Sequence, residues 1–191
     1  MNGQGKSLED APLGRQSPWP SQYDPGLLHP IARVPLWREF GHAERPWRGA
    51  DLWTAWELSW LGEGGLPRVA VAEFTVPCDS PCLVESKSLK LYLGSLSETV
   101  FADAAAVQAC IAADLSRAAG APVTVRLQGL EAAALARTEP EAVCIDEAAD
   151  SADSSRLRPD LLVADAARQC RERLVSHLLK SNCPVTGQPD W

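Results

Sequence analysis

Cys183 and Asp190 stand seven residues apart near the end of the chain. A thiol can attack an electrophilic carbon, and a carboxyl can hand over the proton that the attacked group then needs. Pro184 disfavours a helical Cys183, and Gly187 with Pro189 turns the residues that follow, so the thiol is expected on a constrained loop. A free cysteine, with a pKa of about 8.5, is only a few per cent thiolate at neutral pH, so Cys183 needs help from its surroundings to attack. The plain alternative for such a pair is a small packed thiol and a turn aspartate. Cys78-x3-Cys82 has the local spacing of a metal site, yet no second Cys or His pair stands at finger spacing, and His29, His42 and His177 are scattered. No metal is expected from that pattern.

The elements that must hold these residues belong to an ordinary globular chain of 191 residues, 46% hydrophobic and 23% charged. A formal net charge of -7 argues against a broad nucleic-acid surface or an anionic-membrane surface. The first residues lack the apolar core of a signal peptide, and nowhere do 18 apolar residues run together. The expectation is a soluble cytoplasmic protein. Its six cysteines are too sparse and irregular for a disulfide scaffold and read as reduced thiols.

Seven prolines before residue 50 forbid long regular elements there and suit an arm, residues 1–49, that wraps a folded body. Over residues 51–61 the tryptophans at 53, 56 and 60 keep helical spacing, while Leu52, Thr54, Trp56, Leu58 and Trp60 alternate as a strand would. The glycine-rich turn at 62–65 and the β-rich run at 69–76 favour a hairpin, with the tryptophans in the core. Ser86 or Ser88 is expected to cap a short helix that buries Leu89, Tyr92 and Leu93 and ends at Gly94. A longer helix over 101–119 places Val107, Cys110, Ile111 and Leu115 on one side and stops at Gly120. Residues 123–127 alternate as a strand, 142–145 form a weaker one, and 146–160 read as an acidic surface loop. Residues 165–179 carry a helical pattern by propensity, although 174–179 also suits a buried strand.

Two stretches carry a resemblance. Glu-Ser-Lys-Ser-Leu-Lys-Leu-Tyr at 85–92 and Ser-Asn-Cys-Pro-Val-Thr-Gly-Gln-Pro-Asp-Trp at 181–191 resemble the signature and the catalytic loop of the NADPH-dependent 7-cyano-7-deazaguanine reductases, the QueF nitrile reductases of queuosine biosynthesis. Their order and spacing of about ninety residues resemble the long form of that family, and residues 23–31 and 51–61 are similar to it as well. The resemblance implies an α+β tunnelling fold, with antiparallel hairpins flanking two helices. One complete module would span 50–160, and 161–191 would start a second, whose first strand at 174–179 replaces the helix that propensity favours.

It also implies roles. Cys183 would add to the nitrile carbon as a thioimidate, and Asp190 would donate the proton. Val84, Glu85 and Ser86 would line the substrate pocket, with Glu85 gripping the deazapurine, while Ser86 and Lys87 would contact NADPH. The partners implied are the small deazapurine and further copies of the chain in a homo-oligomer. The family's second module carries a His-Glu pair and an Arg-Gly pair that find no counterpart here, so the chain is expected to be cut short at its C-terminal end. Two other readings follow from the same residues: a non-catalytic tunnelling-fold module used for binding or assembly, and a cyclohydrolase acting on a pterin or purine, against which the missing zinc set argues.

Overall fold

The computed structural model describes residues 6, 10–12, 14–39, 41–45, 47–131, 141–148, 158–165, 167–183 and 187–190. The chain forms two compact units, Met1–Ala134 and Leu135–Trp191. In the first, the arm forms a 3-10 turn at Pro25–Leu27, whose first free amide is satisfied by the Asp24 side chain. Strand β1 (Pro30–Ala32) and helix α1 (Arg33–Glu39) follow. The sequence reading did not foresee α1. Pro35 falls inside its first turn, where the proline's missing amide proton costs nothing.

Strands β2 (Ala50–Leu61) and β3 (Pro67–Pro77) form the expected antiparallel hairpin, closed by Gly64 and Gly65 at φ of 80° and 79°, a conformation glycine adopts without strain. Alternation along β2 is broken where the register shifts between Ala55 and Leu58. The one extra residue of this bulge exchanges the two faces. Leu52 and Trp56 therefore point to solvent, whereas Leu58 and Trp60, on the same alternating frame in sequence, are buried.

Strand β4 (Cys82–Val84) pairs antiparallel with β1, which fastens the arm to the body, and leads into helix α2 (Ser86–Gly94). Helix α3 (Ala104–Ala119) is capped by Asp103 and stopped by Gly120 at φ 73°. Its Val107, Ile111 and Leu115 are buried, as its periodicity predicts. Strand β5 (Thr124–Gln128) completes a three-stranded antiparallel sheet in the order β2-β3-β5. Phe74 of the sheet, Tyr92 of α2 and Ile111 and Leu115 of α3 meet in one apolar core.

The arm is held by polar bonds as well as by its strand. Buried Arg33 donates to Ser80 Oγ at 3.1 Å and ion-pairs with Asp51. Tyr23 and Tyr92 both donate to Asp114 Oδ2, at 2.6 and 2.8 Å.

In the second unit β6 (Val143–Cys144) pairs in parallel with β7 (Leu174–Val175), and β8 (Ser181–Asn182) pairs antiparallel with β9 (Pro189–Asp190). The helical propensity of 165–179 is not realised among the described residues, and the strand expected over 174–179 is confined to β7. The acidic loop is described at 146–148 and 158–160, and the rest of it lies outside the described residues. Three α-helices and mainly antiparallel strands make the described chain a mixed α and β protein. No described helix is long and apolar enough to cross a membrane.

Candidate active site

The junction of β4 and α2 gathers four of the expected site residues. Val84 is buried at the end of β4, opposite Pro30. Glu85, only 3% exposed, is the cap of α2: its Oε1 accepts the Lys87 amide proton and its Oε2 the Ser88 amide proton, both at 2.7 Å. This corrects the expected serine cap. A carboxylate at a helix start meets both unpaired amides and the positive end of the dipole, which a single hydroxyl cannot do. Ser88 is buried behind it, donating to the Glu85 carbonyl at 2.7 Å and accepting from the His29 amide at 3.0 Å. Ser86 is exposed on the first turn, and the Lys87 ammonium donates to the Arg15 carbonyl.

In the second unit Cys183 starts the tight turn between β8 and β9. Its amide donates to the Gln188 carbonyl at 2.8 Å, and its carbonyl accepts from the Gly187 amide at 2.9 Å. Gly187 sits at φ 70°, which explains a glycine there. The thiol is half-buried on a loop, as expected. Asp190 opposes Ser181 across the hairpin, so its backbone lies two residues from Cys183 on the neighbouring strand. The Asp190 side chain, residues 184–186 and Trp191 lie outside the described residues.

Beside α2 the first unit has a cleft of about 440 Å³, lined among others by Trp19, Trp53, Trp56, Ser86 and Lys90. Of the expected site residues, Ser86 alone reaches it. Trp60 is core but Trp56 is 54% exposed, so the reading of Trp53, Trp56 and Trp60 as core holds for only part of the set; Trp19 of the arm, 62% exposed, joins Trp56 at the cleft. The bulge in β2 is what turns Trp56 outward. Gly94 makes room for Trp19, because a Cβ there would stand 2.5 Å from the indole ring. Sequence reasoning missed this wall, and the signal it had was three tryptophans too closely spaced for one buried face of a strand. Exposed indole faces, a hydroxyl and one group of each charge, Lys90 and Glu57, suit a planar heteroaromatic ring with polar substituents. Cys78 and Cys82 are packed in the body, and burial pushes the Cys82 thiol up, with Arg33 opposing. That disfavours the thiolate a metal requires.

Residues 19–127 match the model of a family described as nitrile reductase, 7-cyano-7-deazaguanine-reductase N-term (QueF_N). The chain belongs to this nitrile reductase family. The match covers more than half of the sequence and includes the arm from Trp19, the hairpin, the β4–α2 junction and every residue of the cleft. Membership gives the protein an oxidoreductase ancestry tied to the queuosine route. Cys183 and Asp190 lie beyond the matched region.

Proposed function

We propose that the protein is a 7-cyano-7-deazaguanine reductase of tunnelling fold, converting the nitrile to an aminomethyl group in queuosine biosynthesis. The observation that carries this reading is the family match through residues 85–88, whose helix start borders a cleft suited to a heteroaromatic ring. Val84, Glu85 and Ser86 form the substrate side. Glu85 Oε2 keeps a lone pair beyond the Ser88 amide, while Oε1 accepts both the Lys87 amide and, at 3.3 Å, the Ser86 hydroxyl; rotation of that hydroxyl leaves both oxygens able to accept the paired N–H donors of a guanine-like edge.

Cys183 is the nucleophile. Its thiolate forms a C–S bond to the nitrile carbon, the displaced π pair goes to nitrogen, and Asp190 supplies the proton that completes a thioimidate. The C–S bond breaks again after the first reduction and returns the Cys183 thiolate, freeing the carbon for the second. NADPH, when bound, supplies two electrons and a hydrogen at each reduction, so two molecules of it and two protons bring a nitrile to an amine. The residues fit such a cofactor: Ser86 and Lys90 reach the cleft with a hydroxyl and a cation, its indole walls can stack on a ring, and Lys87 stands one residue from Ser86 as a further cation. The reading further takes the protein to be a cytoplasmic homo-oligomer whose other partner is the small deazapurine.

Intact-mass spectrometry of the protein incubated with the nitrile tests it. A mass increment equal to the substrate is expected, and Cys183→Ala should abolish the increment. An adduct that persists on Cys183→Ala overturns the assignment.

A further inference from the structure

We propose that Cys144, Asp146 and His177 form a zinc site that clips together the two halves of the second unit. Their ligand atoms, the Cys144 Sγ, an Asp146 carboxylate oxygen and a His177 ring nitrogen, lie within 4.8 Å of one another. Ligands about 2.0–2.3 Å from one tetrahedral zinc stand roughly 3.3–3.8 Å apart, so the three sit about 1 Å from coordinating positions. Cys144 and His177 are exposed, and their side chains can close that gap by rotation without moving the backbone.

The backbone beneath them is already in register. Parallel pairing of β6 with β7 sets Cys144 against Val175, and both Asp146 oxygens accept the His177 amide proton at 3.1 Å. Thiolate, imidazole and carboxylate together favour zinc, a borderline ion, over magnesium or calcium, which take oxygen ligands. Three protein ligands leave a fourth position for water.

The need for such a clip is visible in the packing. Among the described residues the apolar core takes none from the second unit, whose Leu162, Val163 and Leu179 are more than 80% exposed. A small unit that exposes such large apolar side chains commonly takes stability from a metal, and here the ligands would join residues 31 positions apart in sequence, Asp146 and His177. The site is separate from the nitrile chemistry, so it stands or falls without reference to turnover.

The test uses the full chain, stripped by chelation and kept reduced, with Co²⁺ as an optical probe and Zn²⁺ as competitor. One equivalent of Co²⁺ should give the visible bands of a tetrahedral site and a near-ultraviolet thiolate charge-transfer band, both displaced by Zn²⁺. Cys144→Ser should remove the charge-transfer band, and His177→Gln should weaken binding at least about a hundredfold. Asp146→Asn keeps an acceptor for the His177 amide while losing the anion, so weaker binding there separates ligation from folding. Cys170→Ser, another exposed thiol of this unit, should change nothing. Absence of the tetrahedral bands from the native chain, or their survival in Cys144→Ser, would overturn the proposal.

Discussion

Glu85 carries two assignments on the same pair of oxygens. As the cap of α2 it holds two amides at 2.7 Å, and as a substrate anchor it would hold two more donors. Replacing it with alanine should lower unfolding stability by about 1–2 kcal/mol through the cap alone, read by urea denaturation. Calorimetry with the deazapurine then separates the roles: loss of substrate affinity in Glu85→Gln supports the anchor, and unchanged affinity leaves only the cap. Tyr23 and Tyr92 make a second residue-level case, since burial first and the Asp114 hydrogen bond next raise both phenols above their ordinary pKa. An unfolded tyrosine ionises near pH 10 and these do not, so the stability they add is intact below about pH 10 and drains away as pH rises beyond it. Thermal midpoints should fall above that pH, with a shallower slope in Asp114→Asn. A midpoint level through about pH 11 would count against the network.

At the scale of elements, Gly94 and Trp19 are coupled. Alanine normally strengthens a helix by up to ~1 kcal/mol over glycine, but at position 94 its Cβ would collide with the indole. Gly94→Ala should therefore expel Trp19, red-shift tryptophan emission and open the arm near residue 19 to protease. An unchanged spectrum and digest would mean that the indole does not rest on that glycine. Helix α3 was readable because Val107, Ile111 and Leu115 keep one period and Asp103 and Gly120 mark its ends. The bulge in β2 was not, because apolar residues continue on the alternating frame after the faces have exchanged. Nor was the Glu85 cap, since Ser86 and Ser88 are the stronger local formers and only the amide geometry chooses between them. Cys183 was legible as a loop thiol, but its role came from resemblance. The cluster of Cys144, Asp146 and His177 was invisible in spacing, because strand pairing alone joins residues so far apart.

At the scale of the whole molecule, every described residue of the apolar core lies within Met1–Ala134. That segment expressed alone should unfold in one cooperative transition, with a thermal midpoint within a few degrees of the full chain. A non-cooperative melt would show that Leu135–Trp191 supplies stability that the first core lacks. The fastening of the arm has a further consequence, for birth rather than for equilibrium. β1 must find β4 about fifty residues on, and Tyr23 must find Asp114 at a separation of 91. The β2–β3 hairpin closes through a short turn and needs no distant partner, so contact distance puts it early and the arm late. During synthesis the arm leaves the ribosome first, yet its strand has nothing to pair with until residues 82–84 emerge, and its tyrosine waits for most of α3. The arm, made before its partners, is thus the last part of this unit to settle, and Leu28 and Ile31, buried in the fold, pass that interval uncovered, when a nascent-chain chaperone would meet them.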